Sequence, residues 1–318
     1  MSRNARYLIQ LAAFALLIFV IFCVLRPGSF LSLDNLSSMA YQFPEFAILA
    51  LAMHPTMLTG GIDLSVVSVA NLCGILAAFI MRIGPPQFML VAAGVALLVG
   101  TLCGILNGIL VATCQLPAIV ATLGTLQFFA GVSIILTKGS SITGIPSAYA
   151  NVGNGSVLGI PVPLLIFAIT LLIIEVVTVR TPLGKQMRLY GTNSHAAPFA
   201  GIPTFRVLVL TYALSGITAA CAGLVILSRA NSANADYGTS YLLLSVLINI
   251  LAGVNPNGGS GTVFGLVLAV LSLQFLSSGL NLLAVNNFAR DLLDGALLVT
   301  VMIANQLQGR IRSTGVRT

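Results

Sequence analysis

Residues 59–65 read TGGIDLS, and this short stretch determines how the chain around it can fold. Asp63 stands between two apolar runs in a chain in which only 7% of the residues are charged. A buried carboxylate is unfavourable unless it accepts several hydrogen bonds. Gly60 and Gly61 permit the positive φ angles of a sharp turn, and Asp63 can then accept from the free N–H groups that open the next helix. We therefore predict a capped break between two helices.

This break has two compatible interpretations. It is a turn that joins two short helices and has only a structural purpose, or it is a broken helix beside a permeation path. The second interpretation follows from the frequent use of discontinuous helices at the binding sites of transporters.

The composition predicts a membrane protein. Of the 318 residues, 58% are hydrophobic, and the mean hydropathy is +1.05. Soluble domains carry about 25% charged residues, so this chain cannot be an ordinary soluble domain. Several apolar runs reach the roughly 20 residues that a spanning helix needs, and the short alternating segments of a membrane β-barrel are absent. We expect an all-α integral membrane protein with a single transmembrane domain over residues 1–318.

Apolar runs separated by Gly, Pro or charged residues predict about ten transmembrane helices. The predicted spans are Tyr7–Leu25, Glu45–Leu58, Ser65–Met81, Phe88–Thr113, Pro117–Leu136, Val162–Val179, Val207–Leu227, Leu242–Leu251, Val263–Leu283 and Leu292–Leu307.

The distribution of basic residues predicts the orientation. With ten spans, both termini and the loop at about 180–206 lie on one side, which then holds nine of the 14 Lys and Arg residues. Basic residues accumulate on the cytoplasmic side of membrane proteins, so this side is predicted to be the cytoplasm. The formal charge of +7 does not indicate nucleic-acid binding, because the basic residues form no patch interleaved with aromatic residues. The nine are Arg3, Arg6, Arg180, Lys185, Arg188, Arg206, Arg310, Arg312 and Arg317.

The sequence contains no pattern typical of an enzyme. It has no phosphate-binding loop of the G-x-x-x-x-G-K-[ST] type, and its five cysteines show no metal-ligand spacing. The two histidines, His54 and His195, are far apart in the chain. We predict no catalytic residue, no metal and no cofactor bound by this chain, and we expect the imidazole of His54 to bond a carbonyl that Pro55 frees.

Polar residues inside the predicted spans are mostly uncharged. Glu45 follows Pro44 at a predicted helix start, where capping explains an acidic residue. The amides either form hydrogen bonds between helices or line a path for a neutral polyol, whereas an ion path usually needs charged residues. The amides predicted in such a path are Asn107, Gln127, Asn249 and Gln274.

The loop at 181–203 is basic and punctuated by glycines, with the sequence TPLGKQMRLYGTNSHAAPFAGIP. A short helix over about Ser194–Ala200 would present Ala196, Ala197 and Ala200 as a small, smooth surface. Such a surface suits docking into a groove of a partner protein. An ordinary solvated loop is the alternative, and the residues alone leave both open.

Three motifs together resemble the permeases of ABC sugar importers, a group that includes ribose, xylose, arabinose, rhamnose and autoinducer-furanose permeases. They are GGIDLS at 60–65, G-x-N-x-x-A-A-x-x-x-G-I at 191–202 and AGVNPNGGSGTVFG at 252–265. They occur in the order of the family, and the resemblance extends over nearly the whole chain. One departure is Val67, which stands where the family usually has glycine.

The resemblance implies a ten-helix, type II-like permease in a bacterial inner membrane, with both termini cytoplasmic. Two such subunits, identical or paralogous, would surround a path for a monosaccharide or related neutral solute. Cytoplasmic ATPase subunits would bind ATP and Mg²⁺, and a periplasmic sugar-binding protein would dock outside. The residues implied in seating the ATPase are Gly191, Asn193, Ala196, Ala197 and Gly201, while Gly60, Gly61 and Asp63 would shape the turn near the path.

Two alternatives to a sugar importer remain at this stage. One is a permease for branched-chain amino acids or nucleosides, although a zwitterion path should need complementary charges in the spans. The other is a secondary transporter or channel that works without ATP, against which the shortage of charged relay residues argues.

Overall fold

The computed structural model describes residues 3–84 and 87–314 of the chain, without the side chains of residues 3–6, 287 and 304–314. The described part is mostly helical, which confirms the predicted all-α class. A π-helical turn, Val176–Arg180, continues α8, and the strands β1 (Ser156–Val157) and β2 (Ile160–Pro161) form a small antiparallel hairpin. The helices are α1 (Arg3–Leu25), α2 (Pro27–Phe30), α3 (Leu33–Leu58), α4 (Val66–Ile83), α5 (Phe88–Thr113), α6 (Ala118–Thr137), α7 (Ser147–Asn154), α8 (Val162–Glu175), α9 (Pro182–Thr192), α10 (Thr204–Ala230), α11 (Ser240–Leu251), α12 (Val263–Leu282) and α13 (Asn287–Thr314).

Seven helices of the described residues are long and apolar enough to cross a membrane: α1, α4, α5, α6, α8 with its π-helical turn, α10 and α12. The three other predicted spans lie in α3, α11 and α13, which do not meet this criterion. Helix α11 has only 12 residues, and polar residues lower the mean hydropathy of α3. The chain is therefore a multi-pass membrane protein, and the number ten stays a prediction.

Helix α3 lies at the centre of the molecule. Every residue of the range 46–58 is buried, and the helix contacts α4, α8, α10, α11 and α12. A helix that is buried on all sides does not need a purely apolar composition, because its polar groups can pair with neighbouring helices. This explains why α3 carries polar residues and still occupies the core.

The predicted start of this helix at Glu45 was wrong, since α3 begins at Leu33. The side-chain oxygen of Ser32 accepts a hydrogen bond from the Asn35 N–H at 3.2 Å, which caps the helix. Pro44 lies inside the helix rather than at its start, although a proline in that position removes one backbone hydrogen bond.

Glu45 is not a capping residue either, because it forms an ion pair with α10. Its Oε1 lies 2.5 Å from Nε of Arg229, and the Tyr241 hydroxyl donates to its Oε2 at 3.2 Å. The Arg229 guanidinium also donates to the carbonyl of Tyr41, in the same part of α3. The acidic side chain therefore connects α3, α10 and α11.

Helices α5 and α10 cross with their backbones in contact. Gly100, Gly104 and Gly108 of α5 repeat every four residues, the spacing that allows close helix approach in membranes. A Cβ atom built on Gly104 would lie 2.1 Å from the Tyr212 carbonyl oxygen, and one on Gly216 would lie 2.0 Å from the Gly100 oxygen. This close crossing brings α10 against the start of α4, where Asp63 lies.

Candidate functional site: a glycine junction beneath a buried aspartate

The TGGIDLS stretch is a turn between α3 and α4, as predicted. Gly60 has a φ of +80°, a conformation that favours glycine. Gly61 does not use the positive φ that glycine permits. A side chain at Gly61 is excluded by a steric clash instead, because a Cβ atom built on it would lie 2.5 Å from the hydroxyl oxygen of Tyr212.

Asp63 is buried, with 1% of its surface exposed, and its carboxylate is fully engaged. Its Oδ1 accepts from the Ser65 N–H at 3.0 Å and from the Ser65 hydroxyl at 2.7 Å. Its Oδ2 accepts from the Ser215 hydroxyl of α10 at 2.8 Å. The side-chain amide of Asn107 in α5 donates to the Ser65 oxygen at 2.7 Å. Asp63 therefore joins the turn, α4, α5 and α10 into one hydrogen-bonded unit.

The three sequence motifs meet in space at one end of the helices. A Cβ atom built on Gly191 would lie 2.0 Å from the Leu58 carbonyl oxygen and 2.5 Å from the Gly259 nitrogen. The Gly259 N–H donates to the same Leu58 oxygen at 2.9 Å. A Cβ atom on Gly258 would lie 2.7 Å from the Gly60 nitrogen. We call Gly60, Gly191, Gly258 and Gly259 the glycine junction.

The segment at 181–203 begins with a helix that the sequence analysis did not predict, α9. Thr181 caps it by accepting from the Gly184 N–H at 3.3 Å. The predicted short helix over Ser194–Ala200 is instead a series of turns. The Asn193 side-chain oxygen begins them by accepting from the N–H groups of His195 and Ala196, at 3.1 and 3.0 Å.

This segment is fixed firmly to the membrane part of the protein. The Arg188 guanidinium donates to the Gly261 carbonyl at 2.8 Å, and Met187 packs with Leu58 and Val207 in a small buried cluster. Burial also raises the pKa of the Tyr190 phenol, which therefore stays neutral. The helix that begins this segment, α9, is therefore anchored to the membrane helices by its side chains rather than free in solvent.

The predicted alanine surface is only partly correct. Ala197 is 3% exposed, since it packs inward, whereas Ala196 and Ala200 are exposed. The most exposed apolar side chain here is Phe199, at 95%. An exposed phenylalanine is unexpected in an ordinary solvated loop, and its position in the sequence already argued against that alternative. We call His195, Ala196, Phe199 and Ala200 the 195–200 face, and Gly201, with a φ of +75°, ends it.

No hydrogen bond among the described residues joins the amides predicted to line a path to one another. Asn107 belongs to the Asp63 unit, and the amide of Asn249 donates to the Ala50 and Ser245 carbonyls at 2.8 and 3.0 Å. Both form hydrogen bonds between segments, and a role of these amides in a path stays a prediction. Gln127 is exposed on α6, while Gln274 is 2% exposed and its amide nitrogen has no hydrogen-bond partner among the described residues.

His54 also differs from its prediction. Its Nδ1 lies 3.3 Å from Oδ1 of Asn249, so a side-chain amide rather than a freed carbonyl binds the imidazole. Because Asn249 donates through its amide nitrogen elsewhere, its oxygen accepts from the histidine.

The glycine junction and the 181–203 segment lie within a part of the chain that matches a known protein family. Residues 35–302 match the family described as branched-chain amino acid transport system, permease component. The chain belongs to this permease family. The resemblance of the three motifs to ABC importer permeases is thereby confirmed.

The similarity to known proteins extends over nearly the whole length of the permease. The autoinducer 2 import system permease protein LsrD of Yersinia enterocolitica is 35% identical over 314 residues, which cover 96% of this chain and 94% of the relative. LsrD of Escherichia coli is 35% identical over 310 residues, with 95% and 93% covered. LsrD of Yersinia pseudotuberculosis is 33% identical over 314 residues, with 96% and 94% covered. No solved structure matches the permease.

Proposed function

We propose that this permease is the transmembrane subunit of an ATP-driven importer for a monosaccharide or a related neutral polar solute. The similarity to autoinducer 2 import permeases supports this solute class. Two acidic residues in the interior support it too, because Asp63 accepts from serine hydroxyls and a backbone N–H and Glu45 pairs with Arg229. A path for an ion or a zwitterion usually needs charged groups that remain available.

The observation that carries the proposal is the close backbone contact between Gly191, just before the 195–200 face, and the membrane helices. Gly191 touches the end of α3 and the loop before α12 through backbone atoms, and it stands four residues before the first residue of the 195–200 face. A partner that moves this face would therefore displace the end of the central helix and the turn that carries Asp63. Coupling of this kind shifts the balance between two conformations of a transporter.

The proposed topology has ten spans within one domain over residues 1–318, with both termini and the 195–200 face in the cytoplasm. The glycine junction supports it, because the chain ends of predicted spans two, six and eight meet at one end of the molecule. An even number of crossings separates any two of these points, as ten spans require.

The proposed partners follow from the same assignment. Cytoplasmic ATPase subunits hold ATP and Mg²⁺ and contact the 195–200 face. A second permease, identical or paralogous, completes the path, and a periplasmic binding protein delivers the solute. Gly191, Asn193, Ala197 and Gly201 would shape the contact with the ATPase, while Ala196 and Phe199 would touch it.

The test is reconstitution of the permease with its ATPase and binding protein in proteoliposomes. We expect Ala196→Glu and Phe199→Ala each to reduce solute-stimulated ATP hydrolysis about tenfold, since a central interface residue contributes about 1–2 kcal/mol. Ala148→Glu is the matched control, because Ala148 is an exposed alanine of α7.

Unchanged stimulation in both variants would refute the coupling role of this face. Solute uptake that proceeds without ATP would instead favour the transporter that needs no ATPase.

A permease for branched-chain amino acids is the second candidate, because the matching family carries that description. Thermal shift of the binding protein that supports transport by this permease distinguishes the two. Stabilisation by leucine rather than by autoinducer 2 or ribose would favour the second candidate.

A further inference from the structure

A cavity of about 580 Å³ lies beside the glycine junction and has no role in the mechanism described so far. Its walls come from the turn after α3, the connection between α5 and α6, the start of α10 and the segment at 190–198. It is open to the same side as the 195–200 face, because His195 lines both. Its volume falls within the range of small-molecule sites, about 300–1,000 Å³.

Tyr212 gives this cavity an unsatisfied polar group. The side chain borders the cavity and is fully buried, and its hydroxyl has no hydrogen-bond partner among the described residues. Gly61 lines the same wall, and a side chain there would collide with the hydroxyl. Gly61 thus leaves room for the Tyr212 hydroxyl, which no described residue binds, although buried polar groups are normally hydrogen-bonded.

The remaining lining indicates a ligand that is neutral and hydroxylated. Thr59, Gln115, Ser194 and Asn257 offer hydroxyl and amide groups, which both donate and accept hydrogen bonds. Among the described residues of the lining, none is Asp, Glu, Lys or Arg. An anion or a zwitterion would therefore lose its hydration without gaining an opposite charge, whereas a polyol gains partners for its own hydroxyl groups.

We propose that this cavity is a binding site for a neutral polyhydroxylated solute of monosaccharide size, with the Tyr212 hydroxyl as a hydrogen-bonding group on its inner wall. The solute class rests on the proposed function, since it is the class that an importer of this kind would release on this side. Because Tyr190, Ser194, His195 and Pro198 form one wall, an occupied site also holds the 190–198 segment in its present position.

The test measures binding to the full-length permease in lipid nanodiscs, without ATPase subunits or binding protein. D-ribose is titrated, and saturation transfer from protein to sugar protons is recorded by NMR. We expect saturable binding to the wild type and about fivefold weaker binding to Tyr212→Phe, which corresponds to one lost hydrogen bond. Ala112→Phe, which fills the cavity, should abolish the binding.

Tyr149→Phe is the matched control. The Tyr149 hydroxyl donates to the Leu224 carbonyl at 2.9 Å, and Tyr149 does not line the cavity. Loss of this hydroxyl should therefore leave ribose binding unchanged. The Tyr212→Phe protein should also unfold no earlier than the wild type on heating, because no residue that the structure describes binds the hydroxyl that it loses.

Several results would overturn the proposal. These are an absence of saturable ribose binding to the wild type, equal binding to Tyr212→Phe, or tighter binding of L-leucine or ribose 5-phosphate than of ribose. Because the assay contains no ATPase, ribose binding without coupled transport would retain this site and refute the proposed function. Coupled transport together with undiminished ribose binding to Tyr212→Phe would support the proposed function and refute this site.

Discussion

Asp63 shows at the scale of single residues how a carboxylate is kept inside an apolar protein. Two serine hydroxyls and one backbone N–H donate to its oxygens. Hydrogen bonds to a charged group are stronger than those between neutral groups. The side chain therefore stabilises the turn between α3 and α4 and holds α10 against it.

Removal of this carboxylate should destabilise the protein. We expect Asp63→Ala to lower the free energy of unfolding by about 2–4 kcal/mol, because the donors that remain are buried without partners. Ser215→Ala removes a single bond and should lower it by about 1 kcal/mol. The midpoint of thermal unfolding in detergent measures both, and an Asp63→Ala midpoint equal to that of Ser215→Ala would contradict the network.

Gly191 is the most restricted position of the glycine junction. We expect Gly191→Ala to separate the 181–203 segment from α3, since the new Cβ atom would lie 2.0 Å from the Leu58 carbonyl oxygen, and backbone cannot yield cheaply. The variant should unfold at a lower temperature and bind ATPase subunits more weakly. Gly124→Ala in α6 is the control, because nothing lies within 4 Å of its added Cβ atom.

The sequence was sufficient to predict the Asp63 turn, because capping acts between near neighbours in the chain. It was not sufficient to predict why Gly61 and Gly191 are glycines. A side chain at Gly61 would clash with the Tyr212 hydroxyl, and one at Gly191 with the Leu58 carbonyl. These partners are distant in sequence, and no local sequence pattern reports such a contact.

At the scale of helices, the crossing of α5 and α10 leads to a matched pair of substitutions within one helix. Gly104→Ala should destabilise the protein by about 1–3 kcal/mol, since a Cβ atom would lie 2.1 Å from the Tyr212 carbonyl oxygen. Gly94→Ala places its methyl group in open space and should be neutral or stabilising by up to about 1 kcal/mol. Thermal unfolding of both variants checks this, and equal midpoints would disprove the close crossing.

Helices that are apolar throughout were found by hydropathy, and those with a mixed composition were not. The predicted span Phe88–Thr113 has the bounds of α5. The first part of α3 and the whole of α9 were missed, because polar side chains interrupt their apolar pattern. Thr181 followed by Pro182 was an available signal for the start of α9, as a capping residue before proline at the first helical position.

At the scale of the whole molecule, the proposed topology predicts which chain segments face each side of the membrane. We expect a cysteine introduced by Ser194→Cys to react with a membrane-impermeant maleimide in inside-out vesicles and not in right-side-out ones. Both residues chosen for substitution, Ser194 and Ser147, are exposed, and Ser147→Cys should show the opposite pattern. The background carries Cys114→Ser, because Cys114 is exposed.

Labelling of the Ser194→Cys protein from outside would contradict both the topology and the coupling role.

The multi-pass class followed from composition, because too few charged residues exist to solvate a soluble fold. The exact number of spans did not follow, since α11 is short and α3 is sheltered from lipid by its neighbours.

The position of α3 also has a consequence for biosynthesis. Residues 33–58 leave the ribosome long before α10, α11 and α12, against which this helix packs. Until those segments arrive, Glu45 lacks Arg229 and His54 lacks Asn249, so the nascent helix has no stable place among lipids. Its insertion therefore depends on shelter within the translocation machinery, and truncation of the chain before Thr204 should expose α3 to quality-control proteases.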